Sequence, residues 1–263
     1  MASANPIMFS SEKILVVSGR FSLLLACLFL LLPAPTAPAF TMAPIRMEFE
    51  PTGRGANQAF RLENDSTNIV PVQISMLTRE VALDGSETNA IAEDDFLVYP
   101  QQVMLKPGQA QTIRVKWLGN PKPQKELAYR ILAEQLPVNL EKGKSRESKI
   151  NVLVRYLGSV YIVPKGAKAD VALASATGQT DATGKHGIEL IFHNRGNAHS
   201  ILSDLRLKVQ AGGKTVELGP ERLPNIAGEN ILAEQKRRFV LPWPEELPDG
   251  PLLVTFDYTK RSP

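Results

Sequence analysis

Beyond residue 44 the chain is written in short stretches where apolar and polar side chains alternate at every second position, broken by turn residues, and no long stretch repeats at helical spacing. The alternation predicts strands over 45–49, 59–64, 70–78, 96–99, 111–117 and 129–135, and a long one over 149–163. Asp84-Gly85 and Leu105-Lys106-Pro107-Gly108 read as turns, since Pro fixes φ and Gly accepts positive φ. A weaker set follows over 171–174, 188–193, 205–210, 214–218, 238–241 and 252–258, after a turn at Pro164-Lys165-Gly166-Ala167-Lys168. The predicted fold class is all-β: two immunoglobulin-like β-sandwich domains, 40–164 and 165–263, each of about 100 residues.

The segment before residue 40 has a different pattern. Lys13 and Arg20 lead into an apolar run from Phe21 to Leu32, and small residues Ala37 and Ala39 flank Pro38, the three-part form of a secretory signal cleaved after Ala39. The run is about 12 residues, short of the roughly 20 a helix needs to cross a bilayer; an uncleaved anchor is the alternative. Cys27 invites a lipid-attachment reading, but most of the apolar run would then follow the modified residue. Residues 40–263 hold no cysteine, so an exported protein here rests on ordinary hydrophobic cores and no disulfide. Removing 1–39 leaves a formal charge of about +2, too balanced for a nucleic-acid surface. The cluster Lys142, Lys144, Arg146 and Lys149 reads as a solvated loop.

Two strings carry a resemblance. Tyr99-Pro100-Gln101-Gln102-Val103-Met104-Leu105-Lys106-Pro107-Gly108 runs on to Val115, and Glu126-Leu127-Ala128-Tyr129-Arg130-Ile131 leads to Leu136-Pro137. Together they resemble the PapD-like periplasmic chaperones of pilus and fimbria assembly, over most of residues 44–164; Asn194-Arg195-Gly196-Asn197-Ala198-His199 is similar to their second domain. The resemblance implies two sandwiches set as a boomerang, a periplasmic location, pilin-like subunits and an outer-membrane usher as partners, and no cofactor. After signal cleavage no stable membrane insertion is expected. A secreted two-domain immunoglobulin-like binding module of another surface-polymer or secretion system is the alternative.

Along the long strand Ile150, Val152, Val154 and Tyr156 share one face, while Asn151, Leu153, Arg155 and Leu157 share the other. Apolar alternation on a last strand is ordinarily sheet core. In the family, however, the matching strand lies at an edge and its apolar side chains fill the groove of an incomplete subunit, which places the donor positions at Ile150, Val152 and Val154. That reading requires one side of the strand to lack a partner. The resemblance also implies that an Arg of the first strand and a Lys of the long strand hold the client's terminal carboxylate. Arg46 matches the Arg; Ser159 stands at the Lys position, and Arg155, on the same face, is the candidate substitute. Glu126 and Asp249 match two acidic members of a cluster that orients the domains, but Val163 stands where its Arg is expected.

Other chemistry is sparse. Tyr129 reads as a packing residue of the tyrosine-corner kind, and Gly53-Arg54-Gly55 as a hairpin turn. His186, His193 and His199 lack a Cys or close carboxylate pair to complete a metal set, and His193 and His199 read as turn packing. There is no Gly-x-Ser-x-Gly elbow and no thiol in 40–263, so no enzyme is expected.

Overall fold

The computed structural model describes residues 40–137 and 153–260. The basic cluster at 142–149 and two of the proposed donors, Ile150 and Val152, lie outside the described residues. The first eleven strands are β1 (Phe40–Ala43), β2 (Arg46–Phe49), β3 (Asn57–Asn64), β4 (Val70–Thr78), β5 (Glu80–Val81), β6 (Glu87–Thr88), β7 (Phe96–Tyr99), β8 (Gln102–Leu105), β9 (Ala110–Trp117), β10 (Leu127–Gln135) and β11 (Arg155–Ile162). One sheet runs β1-β3-β9-β7 and the other β2-β11-β10-β4-β8. Alternation fixes their inner faces: along β9 Ile113, Val115 and Trp117 are buried while Thr112, Arg114 and Lys116 are exposed. Phe96 packs edge-on against both Trp117 and Tyr129, each with centroids 5.0 Å apart. Tyr129 is thus a core residue, and its hydroxyl donates to Asp95 at 2.9 Å. Burial, with the bond to Asp95 and that group's charge, pushes its phenol well above the usual range.

Two local features differ from the sequence expectation. Gly53-Arg54-Gly55 is not a hairpin turn, because β2 pairs with β11 and β3 with β1 and β9, so the segment crosses from one sheet to the other. It does so through a 3₁₀ turn at Arg54–Ala56, with the Glu50 N–H donating to the Gly55 carbonyl. The strands β1, β8 and the short β5–β6 pair carry too few alternating residues to stand out, and form because β3, β4 and the chain reversal at Asp84-Gly85 supply partners.

The second set comprises β12 (Val171–Thr180), β13 (His186–Asn194), β14 (Ser200–Ile201), β15 (Ser203–Ala211), β16 (Lys214–Leu218), β17 (Asn230–Ile231), β18 (Lys236–Pro242) and β19 (Leu252–Thr259). Sheets β12-β13-β18 and β16-β15-β19 enclose a separate core that includes Ile188, Leu190, Phe192, Leu205, Leu207 and Val209. The architecture is all-β, two sandwiches in series. β12 extends six residues past its predicted end, through the weakly β-forming Ser175–Thr180 stretch, because β13 pairs with it along that length.

Candidate functional site

The strand β11 is covered unevenly. On one side it pairs with β10 along its whole length, from Arg155 to Ile162. On the other side β2 reaches only residues 159–162, and the Ser159 N–H donates to the Ile45 carbonyl at the point where β2 begins. Among the described residues, no strand pairs with the outer edge of Arg155–Gly158. Toward the amino-terminal end of this edge, the Gln135 N–H still donates to the Val154 carbonyl at 3.0 Å, so Leu153 and Val154 lead into the strand along the same line.

The two faces of this edge differ. Val154 and Tyr156 are half-buried against the amino-terminal core, Tyr156 lying edge-on to Phe40 at 5.2 Å. Leu153 and Leu157 are exposed on the opposite face. Of the three proposed donors, Val154 is therefore the one that the described residues place, and it points along the face that continues the sandwich core.

Farther along, the register aligns Arg46 of β2, Ser159 of β11 and Arg130 of β10 in one rung across three strands. Their side chains share the outer face of the sheet. Arg130 donates through Nη1 to the Ser159 hydroxyl at 2.6 Å. Arg46 is partly exposed, pairs with Glu48, and lies over the Tyr161 ring with its guanidinium carbon 5.6 Å from the centroid. Arg155 does not join this rung: it is 65% exposed and pairs with Glu134 of β10 at 3.3 Å. The cation beside Ser159 is Arg130, a residue within the quoted Glu126–Ile131 string to which the strand pattern assigned no role.

Glu87 of β6 grips this rung from the side. It accepts from Arg130 Nε at 2.8 Å and Nη2 at 2.6 Å, and from Arg79 Nε at 3.0 Å. Burial alone would raise its carboxyl, but the hydrogen bonds from Arg130 and Asn89 and the charges of Arg79 and Arg130 outweigh burial and hold it at about 2, from an ordinary 4.5. A folded value below the unfolded one means the cluster contributes stability that is complete above about pH 4.5 and is lost as pH falls through about 2. Glu87→Gln should accordingly be less stable than wild type at neutral pH and lose less between pH 4.5 and 2, as read from urea midpoints across that window.

The second sandwich packs against this end of β11. Tyr161 of β11 stacks on His199 with ring centroids 4.0 Å apart and planes 10° from parallel. Its hydroxyl accepts from Arg79 Nη1 at 2.9 Å and from Asn230 Nδ2 at 2.7 Å. His199 Nδ1 lies 2.7 Å from Glu126 Oε1, and the His199 N–H donates to the same oxygen at 3.2 Å, both side chains being almost fully buried. His199 thus does more than pack its own turn. Asp249 is absent from this cluster: it is 83% exposed and lies 3.8 Å from His186 on the second sandwich. The acid Glu126 therefore has a partner, but the partner is His199 in place of the expected Arg. Beside the linker a groove of about 1210 Å³ opens, lined by Glu48, Phe49, Lys165, Lys168, Tyr258 and Lys260 among others.

The fold has counterparts among known proteins. Residues 40–168 match the family described as pili and flagellar-assembly chaperone, PapD N-terminal domain. The first sandwich is a PapD-like chaperone domain. The chaperone's fold agrees with solved structures across both sandwiches. It is similar to the CsuC–CsuE chaperone–tip adhesion subunit pre-assembly complex of the archaic Csu pili of Acinetobacter baumannii, at 17% identity and TM-score 0.57, over 82% of this chain and 97% of that one. It is also similar to the class 5 fimbriae chaperone CfaA, at 16% identity and TM-score 0.51, over 84% and 100% of the two chains. A chaperone–tip adhesin complex of CFA/I fimbriae biogenesis gives 18% identity and TM-score 0.51, over 83% and 98%. No curated protein matches the sequence.

Proposed function

We propose that this protein is a periplasmic chaperone that binds pilus or fimbrial subunits by lending them a strand and delivers them to an outer-membrane usher. The observation that carries the reading is the outer edge of β11 at Arg155–Gly158, which has backbone groups without a strand partner among the described residues. Such an edge satisfies the backbone groups of a client that lacks its last strand. Val154 and Tyr156 pack on the inward face, and Ile150 and Val152 alternate in phase with them in the sequence, so donation would extend the chaperone's own core into the client's groove. Each such side chain contributes about 1.5 to 3 kcal/mol if fully buried. Association costs of comparable size offset much of that sum, which keeps the bound state exchangeable for a better-fitting strand without ATP.

At the far end of the strand, Arg46, Ser159 and Arg130 form the seat for the client's terminal carboxylate. Arg46 retains the role the resemblance gave it, and Arg130 takes the place of the missing Lys in preference to Arg155. The amino-terminal 1–39 segment serves as the export signal, and 40–164 and 165–263 are the two domains.

The test is co-purification of the subunit from periplasm, identified by mass spectrometry. Replacing Ile150, Val152 and Val154 together with Ser should reduce the complex by about 100-fold or more, given the apolar burial removed. If the complex survives at wild-type yield, strand donation by these residues is wrong. Arg46→Ala with Arg130→Ala should weaken it while leaving the strand intact, whereas Arg155→Ala should leave it unchanged.

A further inference from the structure

The hairpin formed by β5 and β6 does more than connect β4 to β7. At its tip the Gly85 N–H donates to the Ala82 carbonyl, and Asp84 accepts from the main chain and hydroxyl of Ser86 at 2.9 and 2.7 Å, so the reversal is internally bonded. That tip rests on the second sandwich: the Arg238 N–H of β18 donates to the Leu83 carbonyl at 2.7 Å, and Gly85 lies against the Arg237 guanidinium. Arg237 is itself fixed, donating to the Asn230 carbonyl at 3.1 Å and to Glu229 at 3.0 Å. Glycine suits this place, for its φ is +92°, where L side chains are strained, and an added side chain would force the Arg237 guanidinium to shift.

The base of the same hairpin holds Glu87, and Glu87 takes hold of Arg130 along the edge formed by Nε and Nη2. A guanidinium carries five N–H groups in a rigid plane. With two given to Glu87 and one on Nη1 given to Ser159, the plane of Arg130 is set, and one N–H on each terminal nitrogen has no acceptor among the described residues and is open to a second one. Arg79, the other cation on Glu87, is turned to Tyr161 by its Nη1.

We propose that the Glu80–Thr88 hairpin is a positioning element that orients Arg130 at the rung it shares with Ser159 and Arg46, with its tip seated on Arg237 and Glu87 as the grip. It makes recognition of a client's terminal carboxylate depend on the docking of the two sandwiches. The proposal rests on the reading that the Arg46–Ser159–Arg130 rung seats a terminal carboxylate.

The test uses the full-length mature chaperone and one probe in two forms, a strand-forming peptide of alternating valine and lysine ending in a free carboxylate or in a carboxamide. Affinity for each form is measured for wild type, Glu87→Gln and Gly85→Val. The second variant dislodges the tip without touching the rung. Wild type should prefer the carboxylate by about tenfold, as a charge-assisted pair implies, and each variant should reduce that preference by about fivefold with the carboxamide affinity unchanged. The carboxamide value reports on folding and strand pairing, which a merely structural defect would lower. An unchanged preference in either variant overturns the positioning role while the carboxylate seat stands. A wild-type chaperone that binds both forms equally overturns the seat itself, and this proposal with it.

Discussion

His199→Ala should destabilise the chaperone by about 3 to 5 kcal/mol, the usual cost of removing one member of a buried pair. Glu126 sits with its side chain 1% exposed, and its Oε1 takes both hydrogen bonds from His199 while Oε2 has no partner among the described residues. With the imidazole gone, the carboxyl group keeps a single main-chain donor, and the Tyr161 ring loses the surface on which it stacks. The loss is read as a fall in urea midpoint. The coupling is isolated by a double-mutant cycle with Glu126→Gln. A cost below about 1 kcal/mol, or a coupling energy near zero, would show that the pair is not what holds the sandwiches together here. Replacing both residues with apolar ones of similar volume should be far milder than either single change, because no polar group is left stranded.

Asn194→Ala is expected to cost about 3 kcal/mol or more, since it leaves several buried groups without partners at once. Asn194 is fully buried at the end of β13, and its amide donates toward the carbonyls of Ala198, Ile231 and Leu232 while its oxygen accepts from the Asp170 and Gly196 N–H groups. It therefore ties the Asn194–His199 turn, which presents His199 to Glu126, to the linker and to β17. Thermal unfolding measures the loss, and Asn194→Asp serves as the comparison, keeping the acceptor while removing the donor. Asn64 plays the same part in the first sandwich, with its amide on the Asn68 and Leu105 carbonyls and its oxygen taking the Ser66 N–H and hydroxyl. Asn64→Ala should fall in the same range. A loss under 1 kcal/mol for either would mean that water replaces these bonds.

Most of the longer strands were legible in the sequence. β4 and β7 coincide with their predicted spans, and β9, β10, β13 and β15 lie within two residues of theirs at each end. The proposed carboxylate seat was half legible. Arg46 was singled out by likeness of its local string, and the register sets it beside Ser159 and over the Tyr161 ring. Arg130 carried no local signal, because alternation says which side of β10 it occupies but not that β11 slides into a register that sets it against Ser159. Arg155 looked suitable for the opposite reason: it shares a face with Ser159, yet four residues of extended chain separate them, and Glu134 stands directly across from it. The Glu126–His199 pair spans 73 residues and two sandwiches, and no spacing within either string points to it.

What the amino-acid sequence determined by itself was local and periodic: the β-strands, the buried side of each, the turns that need glycine or proline, and a strand with an apolar face leading toward Ile150. The tertiary structure decided which strands are neighbours and in what register. It thereby decided that β2 stops short of Gly158, that Arg130 and not Arg155 stands at the rung, and that His199 answers Glu126. The physical reason is that a side chain's direction repeats every two residues along one strand, whereas its neighbours across strands and sandwiches depend on the packing of the whole chain.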